Sequence, residues 1–380
     1  MDFNLSEEQR SIQGMVRKFV EREILPVIEE LDRKEEFPYA IVGKMAELRL
    51  FGLGFPEEYD GVGGDSLSYA VAVEELSRGS PGIAINLVLQ SLVSSVFYRF
   101  ASEAQKREWL PPLLRGERLG SFGLTEANAG SDAGATQTTA ISRGDDWLIN
   151  GAKQFITNGG TDLSKVVIVT AATGRKEGER EISNIIVRRG TPGYTVGRKY
   201  SKLGWHLSDM RELIFEDCRV PKSNTLGEVG SGFKQFLASL DGGRIGLAAV
   251  SLGLAQAAFD EALKYAKTRI QFGQPIAKFQ AIQFKLAEMA TQVELSRLIL
   301  YKTAWMKDNG IPFTKEASMA KLFASEASKY CADQALQIHG GYGFMNEYAV
   351  SRFWRDVKAN EIAEGTSEIQ HLVIARQLGC

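Results

Sequence analysis

Apolar residues recur with a helical period near the amino terminus of this chain. Ser6 and Gln9 have the spacing of a capping box, and apolar residues then recur at positions 12, 15, 16, 19 and 20. Further helical patterns cover residues 39–50, 67–78, 84–99 and 103–114. Residues 1–120 are therefore predicted to form an all-α domain.

The pattern changes near Gly120, where short runs rich in β-branched and aromatic residues begin to alternate with turn residues. Arg143-Gly144-Asp145-Asp146 separates the first two runs and has the composition of a hairpin turn. The predicted strands cover residues 138–142, 147–149, 166–170, 185–187, 194–196 and 213–216. Residues 121–228 are predicted to form a β-barrel or β-sandwich domain.

Long helical patterns return after Gly230. The last 150 residues contain only Pro275 and Pro312, so long helices are not interrupted there. The predicted helices cover 233–269, 279–308, 314–339 and 367–378, with a shorter one near 347–358. Four long helices with short links are typical of an antiparallel four-helix bundle, predicted for residues 229–380. The fold class is α+β, in the order helical, β, helical.

Composition excludes several classes of function. The chain has 45 Lys and Arg against 47 Asp and Glu, which argues against a nucleic-acid or polybasic membrane partner. Its 3 His and 3 Cys are too few and too scattered for a zinc cluster or a disulfide framework, so we expect no metal. The acidic amino terminus does not resemble a secretory signal, and no apolar run approaches the roughly 20 residues of a membrane span. We expect a cytoplasmic protein.

The sequence has no phosphate-binding loop of the common nucleotide-binding folds. There is no GxxxxGK[ST], and the nearest approach to GxGxxG, Gly61-Val62-Gly63, has Ser66 in place of its third glycine. Three other segments remain as candidates: 122–134, 337–344 and 364–369. Taken singly, each has a plain structural interpretation, namely a connection between domains, a helix stop, and a carboxylate near a helix amino terminus.

Taken together, the three segments resemble the acyl-CoA dehydrogenase family. Gly-Leu-Thr-Glu-x-x-x-Gly-Ser-Asp at 123–132 matches the first family signature. The run Gln-x-x-Gly-Gly-x-Gly-Phe-x-x-Glu-x-x-x-x-Arg-x-x-x-Asp at 337–356 matches the second. Residues 269–276 and 279–281 match the link between the first two bundle helices, so the resemblance spans the whole chain.

The resemblance implies that FAD lies between the sheet and the bundle. Leu124 and Thr125 would then lie near the flavin ring edge, and Phe155 would cover the isoalloxazine where the family often has Trp. Within one chain the implied FAD contacts are Phe122, Leu124, Thr125, Ser131, Phe155, Ile156, Thr157, Thr366 and Glu368. Gln280, in the matching link, is also implied. Arg269, Phe272, Gln337, Gly340 and Gly341 would reach FAD in a neighbouring subunit, which implies a dimer at least and a homotetramer by resemblance.

Glu364 matches the catalytic base of the family. By resemblance it takes the α-proton of the thioester while the β-hydride passes to the flavin. The thioester oxygen would be held by the backbone N–H of Glu364 and a ribityl hydroxyl, and burial would raise the pKa of the base toward the working pH. Some members place the base on the first bundle helix, but that position here is Gly243. The implied contacts to the CoA portion are Ser131, Asp241 and Arg244, and Gly365 is also implied to bind substrate. A structural ion pair is the alternative for Arg244.

Two departures concern the acyl group. Many short- and medium-chain members have Tyr before the catalytic glutamate, whereas this chain has Ala363, so we expect room for a branched or bulky acyl chain. Residues 80–91 contain no arginine that could pair with a dicarboxylic substrate, which argues against a glutaryl group. The expected reaction is acyl-CoA dehydrogenation with electron-transfer flavoprotein as the partner. An oxygen-dependent flavin oxidase and a non-catalytic flavoprotein scaffold on the same fold remain as alternatives.

Overall fold

The amino-terminal part is helical in the computed structural model, which describes residues 4–176 and 179–380. Its helices are α1 (Glu7–Phe19), α2 (Ile28–Lys34), α3 (Tyr39–Glu47), α4 (Ser66–Gly79), α5 (Pro81–Phe100) and α6 (Glu103–Leu114). The predicted capping box is present, because the Ser6 hydroxyl accepts from the Gln9 N–H and the Gln9 side chain accepts from the Ser6 N–H. The short helix α2 was not predicted, since no helical repeat fits into seven residues.

A seven-stranded sheet forms the middle part. Its strands are β1 (Leu119–Gly123), β2 (Thr139–Arg143), β3 (Asp146–Thr157), β4 (Ser164–Lys176), β5 (Glu179–Arg188), β6 (Tyr194–Lys199) and β7 (Met210–Pro221). The strand order is β1-β4-β2-β3-β7-β6, with β5 also paired to β4. The predicted hairpin joins β2 to β3, with Arg143 opposite Asp146. Strand β1, which runs parallel to β4, was not predicted because two of its five residues are glycine.

The two faces of the sheet belong to different apolar clusters. On one face, Val166, Ile168 and Ile186 pack with apolar residues of α5 and α6, among them Phe97 and Trp109. The other face has its own cluster, which includes Trp147, Ile149, Val167, Val187 and Phe215. Side chains of β4 therefore alternate between the helices and the second cluster, as expected for a strand covered on both faces.

The carboxyl-terminal part is a helical bundle. It comprises α7 (Gly232–Thr268), a small hairpin of β8 (Ile270–Gln271) and β9 (Gln274–Pro275), α8 (Gln280–Asp308), α9 (Thr314–His339), α10 (Ala349–Ile362) and α11 (Ser367–Gln377). Helix α9 packs against α7, α8, α10 and α11. The predicted order of helical, β and helical parts, and the predicted α+β class, are confirmed.

Helix α7 packs directly against the amino-terminal helices, so the first and last parts share one apolar core. A Cβ at Gly253 would lie 2.2 Å from the backbone oxygen of Glu74 on α4, so only glycine allows this approach. The buried carboxylate of Glu74 accepts hydrogen bonds from Arg297 (2.8 Å) and Tyr301 (2.9 Å) on α8. Helix α4 is thus held against both α7 and α8.

Within the described part of the chain, two helices are long and apolar enough to cross a membrane by length and composition, contrary to the expectation that no apolar run approaches that length. They are Pro81–Phe100 and Gly232–Thr268, with mean hydropathies of 1.4 and 1.2 over their most apolar windows. Within the fold, 67% and 78% of those windows are buried. Their apolar character is accounted for by their place in the core shared by α4, α5 and α7.

Candidate active site

Glu364 lies in the turn between α10 and α11, on a backbone that favours glycine. Its φ is 55°, and Gly365 follows with a φ of 92°. A left-handed conformation at a residue with a side chain costs free energy and persists only where its surroundings fix it. Thr366 then caps α11, its hydroxyl accepting from the Ile369 N–H at 3.4 Å. The turn presents the Glu364 side chain toward α7.

The Glu364 carboxylate lies against Gly243 on α7. A Cβ at Gly243 would be 2.7 Å from Glu364 Oε2 and 3.8 Å from Leu92 Cδ1. Oε2 is itself buried and has no hydrogen-bond partner, although the residue as a whole is only partly buried. The carboxylate therefore occupies the same face of α7 on which the alternative base position lies. Glycine at 243 is a steric requirement for this placement.

Burial and nearby cations act in opposite directions on Glu364. Burial raises the pKa of the Glu364 carboxyl, whereas the charges of Arg244 and Lys321 act to lower it. The net direction is upward from the ordinary value of 4.5. A buried carboxylate with a raised pKa and a free oxygen is well suited to accept a proton.

Arg244 is buried beside this carboxylate and is paired with Asp241. Its Nη1 donates to Asp241 Oδ1 at 2.9 Å, while its Nε is buried without a partner. Asp241 also accepts from the Thr314 hydroxyl at 2.6 Å. The ion pair considered from the sequence is therefore present, and it leaves the buried Nε–H without a partner.

Apolar and aromatic side chains of α4 and α5 line α7 one turn beyond Gly243. A Cβ at Gly246 would lie 2.7 Å from the Tyr69 hydroxyl and 2.8 Å from Val88 Cγ1. Tyr69 is buried, Ser91 hydrogen-bonds its hydroxyl, and burial raises its pKa. Gly243 and Gly246 are three residues apart, about 4.5 Å along the helix axis, so α7 meets the Glu364 carboxylate and the Tyr69 hydroxyl at neighbouring positions.

A buried ion pair fixes the first glycine-rich segment. Lys153 Nζ, on β3, lies 2.6 Å from Glu126 Oε1 and also donates to the Leu124 carbonyl at 3.1 Å. Glu126 accepts further hydrogen bonds from the backbone N–H groups of Gln137 (2.6 Å) and Thr138 (3.0 Å). Burial alone would raise the pKa of Glu126, but these hydrogen bonds and the Lys153 charge outweigh it and lower the pKa to about 2. The segment is thus locked onto β3.

The predicted flavin residues of the sheet lie around this segment. Thr125 accepts from the Gln154 N–H at 2.7 Å, which places Leu124 and Thr125 beside the end of β3. Phe155 follows with a φ of 60° and is 58% exposed, whereas Ile156 and Thr157 are buried. Phe122 stacks on Phe236 at the start of α7, with ring centroids 5.9 Å apart. Ser131 and Glu368 are exposed.

A second group of predicted residues surrounds a cavity at the opposite end of α7. The cavity measures about 540 Å³, and its lining includes Arg269, Gly340 and Gly341. The Arg269 guanidinium lies 5.5 Å from the centre of the Tyr342 ring. Phe272, Gln280 and Gln337 are exposed on segments beside this lining, and Phe272 is 95% exposed with a φ of 51°.

The two groups are not brought together within one chain. Arg269 lies 26 residues after Gly243, which corresponds to about 39 Å along the helix axis. Glu364 and the Gly-Leu-Thr segment lie toward the amino-terminal end of α7, and the cavity lies at its carboxyl-terminal end. One bound dinucleotide could not contact both groups of the same chain.

Comparison with known proteins places the chain in a family. Profiles of the N-terminal, middle and C-terminal domains of acyl-CoA dehydrogenase match residues 6–117, 121–218 and 230–379. The probable acyl-CoA dehydrogenase YngJ of Bacillus subtilis is 54% identical over 381 residues, covering 100% of both chains. The chain belongs to the acyl-CoA dehydrogenase family.

Solved structures agree with this assignment. The butyryl-CoA dehydrogenase of Megasphaera elsdenii is 44% identical, with a TM-score of 0.97 and 100% coverage of both chains. A chain from a study of the electron transferring flavoprotein of Acidaminococcus fermentans is also 44% identical, with a TM-score of 0.96 and coverage of 100% and 99%. The prediction that this protein is an acyl-CoA dehydrogenase, and therefore an oxidoreductase of a flavoprotein family, is confirmed.

Several buried residues around Glu364 and the Gly-Leu-Thr segment were not identified from the sequence. Lys153, Lys321, Gln370 and Tyr69 act through burial and hydrogen bonds, which a single sequence does not reveal. Lys153 is flanked by Ala152 and Gln154, so no pattern in the sequence marks it as buried. Arg352 and Asp356 of the second signature belong to the interior of α10, where Asp356 Oδ1 accepts from the Trp205 N–H at 2.6 Å.

Replacing Gly243 with alanine is expected to displace the Glu364 carboxylate. The new Cβ would lie 2.7 Å from Oε2, and a misplacement of this order lowers the rate of substrate-dependent flavin bleaching by about a hundredfold. The matched control is Gly242→Ala, where a Cβ has no neighbour within 4 Å. That variant should keep the wild-type bleaching rate and gain up to about 1 kcal/mol in stability to urea. Equal rates in the two variants would contradict the placement of Glu364.

Proposed function

We propose that this enzyme dehydrogenates a short-chain acyl-CoA between its α and β carbons, with Glu364 as the base. The observation that carries the proposal is the buried, unpartnered Oε2 of Glu364 against Gly243. An oxygen with no hydrogen-bond partner in a buried position retains its full capacity to accept a proton. The apolar lining from α5 and the absence of a side chain at 243 leave the acyl group as the natural partner of this oxygen.

Glu364 is the chain's own contribution to breaking the α C–H bond. The carboxylate oxygen accepts the α-proton and becomes a neutral carboxylic acid, a form that burial favours over the anion. The Glu364 N–H, on the left-handed turn, is proposed to donate to the thioester oxygen and so stabilise the charge that develops there. Rigid placement of both groups on one residue orients the thioester relative to the base.

The residues implied for FAD have suitable chemistry for a flavin dinucleotide. Phe155 exposes an aromatic ring at the end of β3, beside the backbone of Leu124 and Thr125. Arg269 provides a guanidinium in a cavity where Gly340 and Gly341 have open space in place of a side chain, which suits a phosphate group. When bound, FAD supplies the acceptor for the β-hydride. Similarity to the Acidaminococcus chain supports electron-transfer flavoprotein as the protein that then receives the electrons.

The depth of the acyl pocket supports a short acyl chain. Tyr69 and Val88 fill the space beside Gly246, about one helical turn from the Glu364 carboxylate. Only a few carbons beyond the reacting bond fit into that distance. Ala363, in contrast, leaves space beside the base, so we retain the prediction that a branch near the thioester is tolerated. Similarity to the butyryl-CoA dehydrogenase of Megasphaera elsdenii supports the short chain.

A site shared between subunits follows from the separation of the two groups of FAD residues along α7. The cavity at Arg269 would serve the flavin of a second copy, as the family resemblance implied. Phe272 and Phe344, 95% and 79% exposed, lie on this end of the chain and would be covered by that copy. We propose at least a dimer, and by resemblance a homotetramer. A cytoplasmic location is proposed because Cys218, Cys331 and Cys380 are all free thiols.

Replacing Glu364 with glutamine tests the base assignment directly. The holoenzyme is mixed anaerobically with butyryl-CoA, and loss of flavin absorbance is followed in a stopped-flow instrument. Loss of a general base should slow bleaching by about 10²–10⁴-fold while the flavin stays bound. In the wild type the rate should fall as pH is lowered through the raised pKa of Glu364, because only the carboxylate accepts a proton. Wild-type bleaching by the glutamine variant would refute the assignment, and absence of bleaching in the wild type would refute the reaction.

Shortening Tyr69 is expected to change the preferred acyl length. Tyr69→Ala removes the whole side chain whose hydroxyl lies beside Gly246, which leaves room for about two methylenes at roughly 0.8 kcal/mol each. The ratio of kcat/KM for hexanoyl-CoA to that for butyryl-CoA should rise about tenfold. Tyr69→Phe, which keeps the ring and removes only the hydroxyl, is the control and should leave the ratio unchanged. An unchanged ratio in Tyr69→Ala would place the end of the pocket elsewhere.

Mixed subunits test whether the site is shared. Glu364→Gln and Arg269→Ala chains are each expected to be nearly inactive as pure oligomers, the second through weak flavin retention. Co-expression under two affinity tags should yield hybrids in which one site combines an intact Glu364 with an intact Arg269 from the other chain. Purified hybrids should recover flavin and bleaching. Hybrids as inactive as their parents would show that both residues serve the same chain.

A further inference from the structure

Lys321 on α9 is a buried lysine that has no role in the reaction described so far. Its exposure is 0%, and its ammonium group donates to the backbone oxygens of Glu361 (3.2 Å) and Gly365 (2.8 Å). Neither acceptor is a carboxylate, and no ion pair to this ammonium occurs among the described side chains. Burial of a lysine without a direct counter-ion costs free energy, so the presence of Lys321 at this position calls for an explanation.

The two acceptors of Lys321 flank the catalytic turn. Glu361 belongs to the last turn of α10, where carbonyl groups lack partners within the helix, and Gly365 directly follows Glu364. Gln370 on α11 donates to the backbone oxygens of Glu364 (3.1 Å) and Gly365 (2.8 Å). Two buried donors from different helices therefore hold the carbonyl groups of a turn whose left-handed φ of 55° would otherwise relax.

Few charged groups of the described residues face the turn that contains Glu364. Burial lowers the pKa of Lys321 to about 8, and Glu364 is the acid that most strongly opposes this effect. The charged and titratable groups that face Glu364 are Arg244 from α7, Lys321 from α9 and Tyr69 from α4. Those that face Lys321 are Glu364, Arg244 from α7, Glu361 from α10 and Glu368 from α11. Lys321 and Arg244 thus provide the positive charge that offsets the burial of the base.

We propose that Lys321 is a positioning residue for the reaction, which holds the turn of Glu364 through the carbonyls of Glu361 and Gly365 and stabilises the ionised form of the base. The inference rests on the proposed function of Glu364. The hydrogen bonds of Lys321 set where the carboxylate lies. Its charge sets how readily that carboxylate is ionised before substrate arrives.

Three variants separate these two effects in the flavin-loaded enzyme. Lys321→Gln removes the charge and can retain one hydrogen bond to the turn, Lys321→Met removes both, and Gln370→Leu removes the second donor without changing any charge. The readout is the pH profile of anaerobic flavin bleaching by butyryl-CoA between pH 5 and pH 9. Lys202→Gln is the matched control, because its ammonium is also largely buried but faces Asp209, Lys199, Glu35 and Asp356.

Loss of the Lys321 charge is expected to raise the pKa of Glu364. The acid limb of the pH profile of bleaching should therefore move up by about one pH unit in both Lys321 variants, which is about a tenfold loss of rate at a given pH on that limb. On the plateau above the acid limb, the bleaching rate of Lys321→Gln should approach that of the wild type, while the rate of Lys321→Met should stay lower. Gln370→Leu should lower the plateau without moving the limb, and Lys202→Gln should change neither.

A merely structural lysine would lower stability and flavin content without moving the acid limb, and that result would overturn the proposal. If Lys321→Met does not fold, the profile of Lys321→Gln decides the question of charge. An unmoved limb in Lys321→Gln, together with an inactive Glu364→Gln, would refute the role of Lys321 and leave the base assignment intact. A fully active Glu364→Gln would instead refute the proposed function itself.

Discussion

The close approach of α7 to the amino-terminal helices is the constraint on which the active site depends. At Gly253 the helix meets the backbone of α4, at Gly246 it meets Tyr69 and Val88, and at Gly243 it meets the Glu364 carboxylate. A residue larger than glycine would displace side chains at Gly243 and Gly246 and the α4 backbone at Gly253. The glycines cost helix stability, at about 1 kcal/mol each relative to alanine. Packing of the shared core outweighs this cost.

Charge burial is the second feature that the fold must accommodate. Glu74, Glu126, Lys153 and Lys321 are all buried, and the first three are satisfied by direct ion pairs. Such pairs contribute little net stability compared with apolar residues, but the loss of one partner is strongly destabilising. They therefore fix positions more than they add stability: Glu74 holds α4 to α8, and Lys153 holds the Gly-Leu-Thr segment to β3. Lys321 differs because its partners are carbonyl groups, which leaves its charge directed at Glu364.

Much of this architecture could be predicted from the sequence. The long helices α7, α8 and α9 follow from helical patterns free of proline, and the β2–β3 hairpin follows from its turn residues. Strand β3 was predicted too short, because Gly151 and two bulges interrupt the alternation of its side chains. Motif resemblance identified Glu364, but it could not show that its carboxylate lies on Gly243. That contact joins residues 121 positions apart, and only the packing of α10 and α11 on α9 brings them together.

The same length of α7 that organises the core also divides the cofactor residues. A helix of 37 residues reaches about 55 Å, longer than any one dinucleotide site. The amino-terminal end of the helix lies beside Glu364, and its carboxyl-terminal end leads to Arg269 and the glycine-lined cavity. In the proposed shared site, each chain therefore supplies half of a flavin site at each end of α7. In a twofold dimer, the carboxyl-terminal end of α7 in one chain would meet the amino-terminal end of α7 in the other. The symmetry repeats this contact in reverse, so both flavin sites would be completed at once. Under the proposed function, catalysis by Glu364 would therefore depend on assembly, because the second chain would complete the flavin site.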